Sequence, residues 1–176
     1  KENPSSQPQD IANAQRQLDH TLSSVTYTSE ATLLSRLAWW TTEYGLVGSL
    51  NHPLIYGAGL LSSVGESYNC FNKSIKKISL TLDCIQTSYD ITKPQPQLFV
   101  TEDFKSLSAV IDQLANQMAF RMGGLRSLQR AKQAETVTTS ELDSGLQVSG
   151  VLANVLTDSR GSECYLQYKG PTQLAF

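Results

Sequence analysis

The sequence predicts an α+β fold, mainly helical to about residue 124 and β-rich beyond it. Three observations carry that prediction. Apolar residues recur at helical spacing in residues 11–22, 33–44 and 104–118. One central segment, ISLTLD, alternates as a strand does and could form a short β-hairpin with the residues after it. From residue 135 onward Thr, Val and Ser dominate between turn-forming Asp and Gly residues. The bulk numbers agree. Of 176 residues, 40% are apolar and 17% charged, a globular balance with enough apolar side chains for a core. That length suits one domain or a piece of a larger one. Both ends read as cuts, since the chain opens on Lys1 and closes on PTQLAF. It reads as an internal portion of a longer protein. Residues 1–28 would be a linker and leading helix, 29–124 the main body, and 125–176 a truncated β-rich extension.

In order, residues 1–9 are polar with two prolines and predict a linker. Asp10 can cap a helix to about Ser23, with Ile11, Ala14, Leu18 and Leu22 on one face. Residues 24–28 form a short β-branched break. Thr28 or Ser29 then caps a second helix, with Glu30 in its first turn, where the helix dipole favours an acid. Leu33, Leu37, Trp40 and Tyr44 make its apolar stripe, and Gly45 and Gly48 are its natural terminators. Asn51, His52 and Pro53 predict a turn, since proline biases the residue before it away from helix. A short helix carries Gly65 through Cys70. Residues 75–83 predict a strand that residues 84–91 could join, and residues 93–96 (KPQP) a rigid turn. Leu98, Phe99 and Val100 form a short strand. Thr101 caps an amphipathic helix with Phe104, Leu107, Val110, Ile111, Leu114 and Met118 on one face, ending before Gly123 and Gly124. Residues 125–134 are basic with helical character. Strands follow at 136–142, 147–156 and 163–168, with turns at Asp143, Asp158 and Lys169.

Several function classes are disfavoured. The net charge is −2 and the basic residues are scattered, which gives no support for nucleic-acid binding. No apolar run reaches membrane-spanning length, and no signal-peptide core is present. Cys70, Cys84 and Cys164 are odd in number and far apart, so they indicate neither a disulfide framework nor a zinc site. A reducing cytoplasm is the simplest setting.

The chemistry concentrates in residues 37–70. Glu43 follows Trp39 by four residues and Trp40 by three, so on a helix it projects on their side. A carboxylate among indoles is costly to bury without a proton, cation or metal as partner. The plain alternative is that Glu43 sits at the stripe's edge and faces water. Downstream, Gly57-Ala58-Gly59 lacks both the GxGxxG spacing and the Gly-Lys-Ser/Thr ending of phosphate loops. Small residues there let the backbone approach a ligand or a packed ring.

This stretch resembles the pterin-dependent aromatic amino acid hydroxylases. The resemblance rests on Trp39, Thr41, Glu43, Gly45 and Leu46, then on residues 56–63 (YGAGLLSS), Gly65, Glu66 and Cys70. Tyr89-Asp90-Ile91-Thr92, Gln95-Pro96 and the strand-like residues 97–100 make a second block. It covers roughly residues 30–124. In this family the glutamate of the W-x-x-x-E-[FY]-G-L helix is the single carboxylate ligand of a non-haem iron, a role that falls on Glu43. Such sites hold Fe(II) with two histidines and one carboxylate, leaving positions open for O₂ and substrate. The resemblance implies that Trp39, Gly59 and Ser62 meet the substrate, Ser62 bonding to a ligand histidine or to the substrate's polar end. It places Tyr89 and Ser63 in the pocket wall. Taken singly, Trp39 reads as a core aromatic, Ser62 as a helix cap, Tyr89 as a half-buried strand residue and Glu66 as structural. Ala38 and Trp40 stand where animal members carry other aromatics, which bears on substrate preference. The β-rich tail replaces the helical oligomerisation tail of animal members and resembles long bacterial ones.

By the same resemblance the whole enzyme would use Fe(II), tetrahydropterin and O₂ to hydroxylate an aromatic amino acid, phenylalanine to tyrosine. The family's H-x-x-x-x-H pair is absent here. The sequence contains only His20 and His52, and neither has a partner at ligand spacing. Residues 1–176 should therefore carry one iron ligand of three and hold neither iron nor pterin alone. The competing reading is a non-catalytic interaction module that keeps the scaffold without the two-histidine site.

Overall fold

A computed structural model describes residues 7–24 and 27–176. The linker expected at 1–9 lies outside the described residues up to residue 6, and Pro8 already opens helix α1 (Pro8–Ser24). The expected break at 24–28 is likewise outside them at 25 and 26. Proline suits the first helical turn, where its missing N–H is not needed.

Helix α2 (Glu30–Ala38) starts as its sequence dictates: the Ser29 hydroxyl accepts from the Thr32 amide at 3.2 Å. It does not run on as α-helix to Gly45. Trp39–Glu43 forms a π-helical turn, in which the Tyr44 amide reaches back five residues to the Trp39 carbonyl at 2.9 Å. The expected stripe is thereby divided between two cores. Leu37 and Trp40 join Cys84, Ile85, Phe99, Val110 and Leu114, while Tyr44 packs with Leu46, Leu60, Cys70, Leu98 and Val100. Trp40 is fully buried, and its indole N–H donates to the Thr87 carbonyl at 2.9 Å.

Gly45 ends the turn and leads into a hairpin, β1 (Leu46–Ser49) and β2 (His52–Ile55), with Ser49 opposite His52. The turn expected at residues 51–53 is therefore a two-residue loop, Leu50 and Asn51, and His52 and Pro53 belong to a strand. β2 is an edge strand, where a proline is tolerated. Two short helices follow, α3 (Ala58–Ser62) and α4 (Val64–Asn69).

The strand expected at 75–83 is only β3 (Lys76–Ser79), and it does not form a hairpin. Leu82–Gln86 is a 3₁₀ turn instead. Cys84 and Ile85 are adjacent and both buried. A strand sends neighbours to opposite faces, whereas a helical turn can bury both. β4 (Gln97–Thr101) then lies between β3 and β1, parallel to each, in a four-stranded sheet of order β2-β1-β4-β3.

Helix α5 (Phe104–Gln117) is capped by Asp103, whose carboxylate accepts from the Ser106 amide at 2.7 Å, rather than by Thr101. Leu107, Val110 and Leu114 are buried, but Phe104 and Ile111, expected on the same face, are exposed. Helices α6 (Ala119–Met122) and α7 (Gly124–Ala134) complete the helical part, with Gly123 and Gly124 at positive φ between them. Strands β5 (Val137–Glu141), β6 (Gln147–Thr157) and β7 (Glu163–Ala175) form an antiparallel sheet of order β5-β6-β7, against which α7 packs. β7 runs past the expected turn at Lys169. Gly170, at φ 73°, takes up a bulge opposite Gly150, and Pro171 sits on an edge strand. The α+β class holds, with helices and two mixed or antiparallel sheets.

One polar contact ties α2 to the end of the helical part. The Glu30 carboxylate accepts from the Ala119 amide at 2.9 Å and pairs with Arg130 at 2.9 Å. Arg130 also donates to the Gln117 carbonyl. Hydrogen bonds to charged groups contribute about 1.5–3 kcal/mol each, reduced here because both side chains keep some contact with water. Glu30→Gln is expected to cost about 1–2 kcal/mol, read as a lower urea midpoint with an unchanged slope.

Candidate functional site

The site is built where the π turn meets the Gly57-Ala58-Gly59 segment. The Tyr56 and Gly57 amides both donate to the Gly45 carbonyl, at 3.3 and 3.0 Å. Both glycines allow an approach no side chain would. A Cβ on Gly57 would lie 2.5 Å from the Glu43 carbonyl oxygen, and one on Gly59 would lie 2.6 Å from Glu43 Oε1. Gly59 thus seats the Glu43 carboxylate. The space expected to serve a substrate ring is occupied, at the Cα itself, by the carboxylate.

Glu43 is half-buried rather than pointed into water. The ion pairs of the described residues lie elsewhere, at Lys93–Asp90, Arg121–Asp112, Arg130–Glu30 and Arg160–Asp158. Among the described residues no cation is paired with Glu43, and no group of three or more His, Cys, Asp or Glu could hold a metal ion. A half-buried carboxylate without a cation suits one metal-ligand role. It does not make a metal site alone.

Aromatic side chains stack at the same turn. Trp39 stacks on Tyr44 (centroids 4.6 Å) and, nearly parallel, on Tyr89 (4.3 Å, 8°). Its indole N–H is buried and has no partner among the described residues. A buried, unsatisfied donor costs about 1–3 kcal/mol, so it favours an acceptor nearby. Tyr89 is in a loop, not a strand, and its hydroxyl lies 2.8 Å from Ser35 Oγ. The loop is fixed by its own polar groups. Asp90 accepts from the Thr92 amide and hydroxyl and pairs with Lys93, which holds its carboxyl down at about 2. The Gln95 amide donates to the carbonyls of Asp90 and Lys93, both at 2.9 Å.

Ser62 is exposed, and its hydroxyl donates to the Gly59 carbonyl at 3.0 Å. Ser63, not Ser62, is the helix cap, accepting from the Glu66 amide at 3.3 Å. His20 is exposed on α1 and His52 exposed on β2. The structure therefore seats Glu43 on Gly59, stacks Trp39 on Tyr44 and Tyr89, and leaves both histidines on the surface.

Sequence reasoning missed Tyr44 as part of this site. Burial, then the carboxylates of Glu66 and Glu43 beside it, push the Tyr44 hydroxyl up to about 12. Glu66, read from sequence as structural, thus helps keep that hydroxyl protonated. Burial, with Cys84 nearby, pushes Tyr56 to about 12 as well. A tyrosine raised above its unfolded value near 10 contributes stability that is complete below pH 10 and is lost as pH rises towards 12. Glu66→Gln is expected to bring Tyr44 down and shrink the loss in that window. Phenolate absorbance, with urea unfolding at several alkaline pH values, checks it. The three cysteines are free, and burial raises the thiols of Cys70 and Cys84, the latter to about 11, leaving both unreactive.

The sequence profile of the biopterin-dependent aromatic amino acid hydroxylases matches residues 9–158, and the chain belongs to that family. The match runs through α7, β5 and β6, past the division expected at residue 124. The phenylalanine-4-hydroxylase of Chromobacterium violaceum is 40% identical over 77 residues, 43% of this chain and 26% of that protein. That of Dictyostelium discoideum is 36% identical over 85 residues, 48% of this chain and 19% of its own length. The iron- and phenylalanine-bound crystal structure of the Chromobacterium violaceum enzyme aligns with 51% of this chain and 36% of that one, at 34% identity and a TM-score of 0.45. The chain thus spans about a fifth to a quarter of the length of these curated relatives. Among the described residues no helix is long and apolar enough to cross a membrane.

Proposed function

We propose that this chain is the portion of an iron- and tetrahydropterin-dependent hydroxylase that supplies the carboxylate ligand of iron, Glu43, with phenylalanine as substrate and tyrosine as product. The observation that carries it is the Glu43 carboxylate seated on Gly59 without a cation. Family membership and the phenylalanine-4-hydroxylase relatives support the reaction and the substrate. The two histidine ligands would come from outside this sequence, since His20 and His52 are exposed and, among the described residues, no group of three or more His, Cys, Asp or Glu could hold a metal ion. The bound iron and pterin would supply the activation of O₂. This chain's residues would supply part of the site. Glu43 presents a hard anionic oxygen. Gly59 fixes its position. Trp39 and Tyr89 form an aromatic wall that keeps water from the ring to be hydroxylated, and the unpaired Trp39 N–H offers a donor to substrate or ligand. Ser62 and Ser63 border the substrate side, and a cytoplasmic setting fits the buried free thiols.

The test is iron content and turnover of the intact polypeptide supplied with tetrahydropterin and O₂. Bound iron and tyrosine formed from phenylalanine, faster than products from tyrosine or tryptophan, are expected. An intact polypeptide that holds no iron overturns the proposal in favour of a non-catalytic scaffold. Residues 1–176 alone are expected to bind Fe(II) no better than their Glu43→Ala variant.

A further inference from the structure

Glu43 sits at the end of an unusual turn, and something must hold that turn open. A π turn takes one residue more than an α turn. One residue subtends roughly 100° of an α-helix. A return to α register would therefore swing Glu43 around the helix axis, away from Gly59. Backbone alone favours that return, because π geometry is rare and confined to short bulges.

The side chains at the turn oppose it. Thr41 Oγ1 donates to the Leu37 carbonyl at 2.6 Å, and Thr42 Oγ1 to the Ala38 carbonyl at 2.8 Å. Such back-bonds from threonine bend helices and substitute for amide donors. The two differ in surroundings. Thr41 is 2% exposed, whereas Thr42 is open to water, which can replace its hydroxyl. Thr41 is also tied at its other end: its carbonyl accepts the Gly45 amide at 2.8 Å, and the Gly45 carbonyl holds the Tyr56 and Gly57 amides. A continuous run of bonds thus joins α2, through Thr41, to the segment that seats the carboxylate.

We propose that Thr41 is a positioning residue for Glu43, its buried hydroxyl locking the π turn that delivers the carboxylate to Gly59. The inference rests on Glu43 being a metal ligand. Thr41 itself would touch neither metal nor substrate, so its signature is metal affinity rather than stability. The experiment is equilibrium titration of the intact polypeptide with Co(II), an air-stable probe for Fe(II), with thermal melts alongside. Thr41→Val keeps the shape and removes the hydroxyl. It is expected to weaken Co(II) binding by roughly tenfold or more, the effect typical of groups that orient a metal ligand. Thr41→Ser restores the hydroxyl and is expected to bind close to wild type, as is Thr42→Val. Should Thr41→Val not fold, Thr41→Ala carries the same comparison. Wild-type affinity in the hydroxyl-less variant, or a lower melting temperature with affinity intact, overturns the inference and leaves the iron site standing, provided Glu43→Gln loses Co(II). If Glu43→Gln binds as wild type does, or the wild type binds no Co(II), the iron reading falls and this inference with it.

Discussion

Glu43→Gln in the intact polypeptide is expected to remove iron and, with it, turnover. Glutamine keeps the size and reach of the side chain, so Gly59 still seats it and the fold is unaffected. What changes is charge. A two-histidine site depends on its one carboxylate for anionic character, and a neutral amide oxygen is a poor substitute. The loss of metal affinity should exceed the roughly 10–100-fold that removal of a mere orienting partner costs. Metal analysis of the purified variant and tyrosine formation from phenylalanine both read it. Normal iron content in the variant would place the ligand elsewhere.

The second large effect separates two glycines two residues apart. At Gly57 an added methyl meets backbone, the Glu43 carbonyl oxygen and the Gly45 nitrogen, and neither can step aside. Gly57→Ala must therefore push the π turn and the α3 segment apart. Overpacking of this kind costs typically about 1–3 kcal/mol, and the loss of the Gly57–Gly45 hydrogen bond adds to it. At Gly59 the methyl meets the far end of the Glu43 side chain, which can rotate away. Gly59→Ala should leave the melting temperature nearly unchanged yet expel the carboxylate from its seat. Iron affinity should then fall by roughly tenfold or more, as for other displaced ligands. Thermal melts and metal titration of the two variants side by side check this. Equal stability losses with equal affinity would refute the assignment of Gly59 as the carboxylate's seat.

The legible parts of the fold were those with local signals. Ser29 before an apolar stripe marked the start of α2, the Phe104–Gln117 periodicity marked α5, and the Thr/Val-rich tail marked the second sheet. The illegible parts depend on contacts distant in sequence. The hairpin of Leu46–Ile55 was obscured because Gly48 and Pro53 read as helix and turn signals, yet Gly48 at φ 106° simply faces Pro53 across the ladder. Cys84 and Ile85 lie in a 3₁₀ turn that buries both in the core containing Leu37 and Trp40, which no alternation pattern reveals. At the site, the family resemblance singled out Glu43, Gly59 and Tyr89, and the structure packs Gly59 against Glu43. The resemblance did not show the π turn, whose only sequence trace is the Thr41-Thr42 pair. Nor did it show Tyr44, which faces Glu66 through the packing of α4.

The most direct measurement is a crystal structure of the intact polypeptide grown with Co(II), with the metal located by anomalous scattering. The account requires the metal within about 2.2 Å of a Glu43 carboxylate oxygen, the usual range for such ligands, with that carboxylate on Gly59 and two histidines from outside this sequence completing the site. A metal bound away from Glu43, or a Glu43 side chain turned to solvent while metal is held by other groups, would contradict it.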